Sequence, residues 1–270
     1  MKSVISLLRY YRWNKFSIIY ENPWSAEAKM LKRYANTNNM TLNHLQNVYS
    51  SFDCCEENMS CCVPNYWYNL IRSTKDDTRI YVVLGLHNTL LDMMASMDAL
   101  GLFKEGEYMV IFVDMLTYSA QDSLKYLIYP EDRRTTHVCP TTEFKKRAQS
   151  LLVVVNSEPS ADYEQFRDKV RLYNAREPFR FPHIPEMKSY VSIYASYLYD
   201  SMHLYARALD EIIREETHEE GLSYEKLLTI ASNGTSIIAK MKSSTPYQSI
   251  SGTTIRLNDL GEFEGNFLVL

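Results

Sequence analysis

Four short segments place polar or aromatic side chains directly after apolar runs: Glu21, Asn22 and Trp24; Gly85, His87 and Asn88; Asp114 and Met115; and Asn156 and Ser157. In an open α/β sheet the carboxyl ends of the strands face the ligand crevice. Glu21, Asn22, Trp24, His87, Asn88 and Asp114 are therefore the candidate ligand contacts. Together they offer hydrogen-bond donors, acceptors and rings but no nucleophile, a chemistry suited to recognition rather than turnover. The first tip, Glu21-Asn22-Pro23-Trp24, has no glycine to let a phosphate approach the backbone. The chain carries no G-x-G-x-x-G, Walker A, H-E-x-x-H or G-x-S-x-G motif. His87 alone among the six histidines follows a strand end directly; it reads as a general base or, more simply, as a structural histidine. His183 and His203 have no carboxylate at catalytic spacing, and Glu219-Glu220 reads as a solvated helix terminus. No catalytic residue, metal site or cofactor is expected in this segment.

Four of the five cysteines lie in DCCEENMSCC, as Cys54, Cys55, Cys61 and Cys62; the fifth is Cys139. Adjacent cysteines converge poorly on one tetrahedral ion. Disulfides closing a polar loop suit an oxidising compartment, and free thiols are the third reading; the odd total leaves one thiol over. Sequons occur at Asn39, Asn58 and Asn233, about as many as chance provides. Asn39 and Asn58 sit in polar stretches that would tolerate a glycan.

The elements positioning the tips follow from periodicity. Phe16–Tyr20, Arg79–Leu84, Tyr108–Val113 and Leu151–Val155 are short apolar strands. Helical patterns fall between them, over Ser25–Ala35, Tyr66–Ser73 and from Asn88, a candidate cap, to Gly101, a candidate stop. Near-continuous apolar strands separated by helices indicate a parallel sheet covered on both faces. Residues 157–189 are polar and punctuated by proline. After them, Tyr190, Tyr194, Tyr197, Ser201, Leu204, Ala208 and Ile212 line one face of a long amphipathic helix, most simply a core stripe. Helices over Tyr224–Ala231 and Thr235–Met241 follow. Ile255/Leu257 and Phe267/Val269 alternate about Asn258-Asp259-Leu260-Gly261, a hairpin signal.

In bulk, 270 residues can bury a substantial core. A net charge of -4 argues against a nucleic-acid surface, and the basic run Lys145-Lys146-Arg147 reads as a solvated helix face. No apolar run approaches the roughly 20 residues of a membrane helix. The five-residue apolar core before Arg9 is shorter than a secretory signal's.

The order of segments RYYRWNKFSIIYENPWS, RIYVVLGLHNTLLDMMASMDALGLFKEGEYMVIFVDM, YASYLYDSMHLYARALDEI and TPYQSISGTTIRLNDLGEFEGNFLVL resembles the extracellular ligand-binding region of receptor guanylate cyclases. This is the natriuretic-peptide-receptor-like branch of the type I periplasmic-binding-protein fold. The resemblance implies an α/β chain of two lobes with doubly wound parallel sheets, the first lobe incomplete. Residues 1–156 would be the second, membrane-proximal lobe, 157–246 a return to the first, and 247–270 a closing β-ribbon of the second. It further implies a fragment, without signal peptide or transmembrane helix, of a receptor on the extracellular face of the plasma membrane.

Such a receptor binds a peptide or small extracellular ligand as a homodimer and touches the membrane only through a segment outside this chain. It controls cGMP synthesis from GTP by a missing C-terminal domain. The alternatives keep the fold and change the output, to a class C G-protein-coupled or ionotropic glutamate receptor ectodomain, or abandon the receptor for a stand-alone soluble α/β binding protein or enzyme.

Overall fold

The computed structural model describes residues 1–48, 64–114, 126–127, 144–157, 161–181, 191, 193–216, 223–244, 246–259, 261–263 and 267–270. The chain divides into two compact units, one of Met1–Met115, Ser119–Asn156 and Phe267–Leu270, the other of Leu116–Tyr118 and Ser157–Asn266.

The first unit runs α1 (Lys2–Tyr10), β1 (Lys15–Glu21), α2 (Ser25–Thr37), β2 (Thr41–Val48), α3 (Pro64–Thr74), β3 (Ile80–Leu84), α4 (His87–Ala99), β4 (Met109–Asp114), α5 (Phe144–Gln149), β5 (Leu151–Asn156) and, from the far end of the chain, β8 (Phe267–Val269). The sheet order is β2-β1-β3-β4-β5-β8, parallel throughout except for antiparallel β8. The four central strands are apolar along nearly their whole length because helices cover both faces. Odd and even positions of β3 go to opposite cores. Tyr81 and Val83 pack with Trp67 and Ile71 of α3 and with Leu90, Met93, Met94 and Met97 of α4. Val82 and Leu84 pack with Val4, Ile5 and Leu8 of α1 and with Ala28, Leu31 and Ala35 of α2.

Local chemistry sets the helix ends. Gly101 has φ +70; its N–H bonds the Asp98 carbonyl, and that of Leu102 bonds Met97, which closes α4 with a left-handed cap. Asn39 and Arg12 end α2 and α1 in the same way, at φ 55 and 60. The start of α4 departs from expectation. Asn88 is not its cap: the helix begins at His87, the N-cap is Leu86, and Leu86 has no side chain able to accept a hydrogen bond.

Three more features differ from the sequence reading. β2, TLNHLQNV, is an edge strand whose residues are mostly half exposed, so it carries no apolar run. Two of its residues, Asn43 and His44, stand opposite Ser17 alone, a bulge of the kind that blunts a sheet edge. Arg147 is not solvated: it is buried, and its Nε and Nη2 both donate to Asp98 Oδ2, at 2.9 and 2.5 Å. A guanidinium is tolerated there because its charge is paired. The predicted hairpin is rearranged. Leu257 bridges Phe263 about a turn in which Gly261 has φ +77, whereas β8 pairs with β5, where three more apolar residues extend a sheet already formed.

The second unit holds α6 (Ala161–Asn174), α7 (Ile193–Glu216), α8 (Tyr224–Ser232), α9 (Gly234–Ser243) and the antiparallel pair β6 (Tyr247–Gln248) and β7 (Thr254–Ile255). Its core joins Ala208 and Ile212 of α7 to Ile230 and Ile237. Tyr190 lies outside the described residues; among those described, the expected stripe is buried only at this end. In the N-terminal half of α7 the buried line is Ile193, Ser196 and Asp200, and Tyr194 is 50% exposed. Asp200 is what turns the helix: its carboxylate accepts the Ser249 hydroxyl at 2.5 Å and the Ile250 N–H at 3.1 Å. A carboxylate so satisfied is buried at small cost.

Tyr81 offers a test of this core. Its hydroxyl shares a 2.9 Å hydrogen bond with Thr74, and burial pushes its pKa from 10.0 up to about 12. The folded value lies above the unfolded one, so the stabilisation is complete below pH 10 and is lost as pH rises towards about 12. Urea unfolding across that range should show a shallower fall in stability for Tyr81→Phe than for the native chain.

Candidate functional site

The strand order 2-1-3-4-5 reverses direction between β1 and β3, which makes that gap the switch point of the sheet, where open α/β proteins hold ligands. Two of the predicted tips flank it. β1 ends at Glu21, and β3 ends one residue before Gly85, which leads through Leu86 into α4.

Glu21 is only 4% exposed. Its Oε1 accepts the backbone N–H of Leu86 at 3.3 Å and the hydroxyl of Thr89, two positions into the helix after His87. Those are the N-cap amide and the side chain at the third helical position, so a carboxylate from a neighbouring strand supplies the cap that Leu86 lacks. The negative charge also sits at the positive end of the α4 dipole. Gly85 permits the approach, since a Cβ there would stand 3.0 Å from Glu21 Oε1.

The other candidates are distributed around this contact. Asn22 opens the short turn Asn22–Trp24, and its Oδ1 accepts from Asn47 Nδ2 at 2.5 Å, joining the tips of β1 and β2. Trp24 packs against the α1/α2 core. His87 is half-buried at the first position of α4; Asn88 is buried, and its Oδ1 has no hydrogen-bond partner among the described residues. Asp114, at the end of β4, is buried and accepts the Tyr126 hydroxyl at 2.7 Å. The structure therefore brings Glu21 and the α4 start into direct contact and turns Asp114 to a different partner.

Sequence reasoning passed over Thr89, Asn47 and Tyr126. Thr89 carried a usable signal, a hydroxyl at the third position of a helix whose N-cap, Leu86, has no capping side chain. Among the described residues no group of His, Cys, Asp and Glu is placed to hold a metal ion, and no helix is long and apolar enough to cross a membrane. Cys54, Cys55, Cys61, Cys62, Cys139 and Asn58 lie outside the described residues. Asn39 is exposed at the left-handed end of α2; Asn233 is exposed and caps α9, its Oδ1 accepting from Ser236 N–H at 3.1 Å.

Comparison with known proteins assigns the family. All of residues 1–270 match the ANF receptor family, described as the receptor family ligand binding region. The chain belongs to that family. The largely parallel, doubly wound sheet is consistent with its periplasmic-binding-protein-like fold. Among curated relatives of this ligand-binding region, the receptor-type guanylate cyclase Gyc76C of Drosophila melanogaster is 45% identical over 278 residues, a match covering 100% of this chain and 18% of the relative. Guanylate cyclase 32E of the same organism is 26% identical over 274 residues, covering 100% of this chain and 20% of the relative. The ligand-binding region thus spans about a fifth of the length of these relatives.

The Thr89 contact sets an expectation for stability. Thr89→Val keeps the shape and removes a donor to a buried carboxylate, which should cost about 2 kcal/mol. Chemical denaturation would register it as a lower midpoint at unchanged slope.

Proposed function

We propose that this chain is the extracellular ligand-binding part of a receptor guanylate cyclase, that it binds a peptide messenger, and that it performs no catalysis itself. Synthesis of cGMP from GTP belongs to a part of the polypeptide outside this chain, as does the membrane anchor. The observation that carries the reading is the 45% identity to a receptor-type guanylate cyclase along the full 270 residues. Ligand binding acts through its differential affinity for two receptor arrangements, and in this proposal those are two geometries of a homodimer.

On the same reading, residues 1–156 with the terminal strand are the membrane-proximal lobe, and the second unit is part of the other lobe. Two features support that division. The only strands described in the second unit are β6 and β7, of two residues each. Its longest helix exposes Tyr194 at 50%, Leu198 at 68%, Met202 at 62% and Tyr205 at 40%. A helix with such a row exposed is suited to lie against a sheet.

The decisive experiment expresses the complete receptor in cultured cells and measures cGMP on addition of fractionated extracellular peptides. A fraction that raises cGMP, with the rise abolished when this segment is replaced by an unrelated folded domain, supports the proposal. A response to free amino acids by ion current or G-protein signalling would replace it with another receptor class.

Export carries its own prediction. We propose that the cysteine loop is cross-linked by disulfides. Alkylation under non-reducing conditions followed by mass spectrometry should then leave Cys54, Cys55, Cys61 and Cys62 unlabelled in secreted protein, whereas full labelling would refute the pairing.

A further inference from the structure

We propose that Glu21 is a built-in plug: its carboxylate fills a position at the switch point of this sheet that is suited to an anionic head group, so the crevice between β1 and β3 is closed there to ligand carboxylates and phosphates. The juxtaposition on which this rests is the buried Glu21 carboxylate seated on Leu86 N–H and Thr89 hydroxyl at the start of a 13-residue helix, over the Cβ-less Gly85.

Three features of that place would otherwise make it an anion site. It lies at the switch point of a doubly wound sheet. It combines an uncapped backbone amide with the positive end of a helix dipole. It is withdrawn from water, Glu21 being 4%, Thr89 2% and Asn88 8% exposed. Asn88 adds a buried side-chain oxygen without a hydrogen-bond partner among the described residues. An incoming carboxylate would have to displace Glu21 from Leu86 N–H and Thr89, gaining neither bond anew while uncovering a buried charge. This position therefore discriminates by charge. Neutral or cationic groups of a messenger are admitted at the outer, more exposed residues Asn22 and His87, whereas the α-carboxylate of a free amino acid is refused. This deepens the proposed function by separating a peptide messenger, read through its side chains and backbone, from an amino-acid ligand, which must be held by its carboxylate.

The test uses the 270-residue chain and no cyclase signal, so its outcome is independent of the receptor assay. In Glu21→Ala the donors are uncovered, and the melting temperature should fall by about 5 °C. Formate should restore most of that loss in a saturable manner at millimolar concentration, while formamide should not, and the native chain should respond to neither. Equal responses to formate in the native and variant chains, or no response in a folded variant, would overturn the proposal. Should Glu21→Ala fail to accumulate, calorimetry on the native chain decides. No saturable heat with glutamate, acetate or inorganic phosphate supports the plug, and saturable binding of any of them refutes it.

Discussion

A carboxylate withdrawn from water must be held by donors, and a helix that begins without a capping side chain must find an acceptor. Glu21 and α4 meet both needs in a single contact. The consequences reach in both directions along the chain. β1 and β3 are already parallel neighbours through four residue pairs, and the contact continues their alignment past the ends of the strands. It also sets where α4 starts, and therefore which of its residues face β3: Leu90, Met93, Met94 and Met97. Its geometry depends on Gly85, because any side chain there would press on the carboxylate.

Around that contact the first unit is built by ordinary means. Apolar strands are sealed on both faces, the helices α1, α2 and α4 end in left-handed caps, and the edge strand β2 is blunted by a bulge. The second unit has a different character. Its compactness comes from a small aliphatic cluster and from Asp200, which ties α7 to the turn after β6. Buried carboxylates thus recur as organisers: Glu21 on a helix start, Asp114 on Tyr126, Asp200 on a turn. Each accepts hydrogen bonds from neutral donors: Leu86 N–H and Thr89, the Tyr126 hydroxyl, and Ser249 with Ile250 N–H.

Much of this was legible beforehand. The four central strands, the helix after β3 and its glycine stop could be read because burial on two faces writes a continuous apolar run and a left-handed turn writes a glycine. The edge strand β2 was missed because a half-exposed strand has no such signature. Helix α6 lay hidden in a polar stretch, since little of its surface is covered. Arg147 looked like one of three surface cations; its burial depends on Asp98, 49 residues away. The final strand was assigned to a hairpin because alternation reports that a segment pairs, not with what.

The six candidate residues show the same division most clearly. Composition and position marked Glu21, Asn22, Trp24, His87, Asn88 and Asp114 as polar or aromatic groups at strand tips, and the sheet does carry them on one edge. The sequence by itself determined the four central strands, their parallel arrangement and the chemical types at their ends, because these depend on neighbours a few residues apart. Only the tertiary structure decided that Glu21 turns inward to close a helix 65 residues away while Asp114 turns to Tyr126. The reason is that a hydrogen bond between distant segments depends on distance and burial in space, which no local pattern of residues encodes.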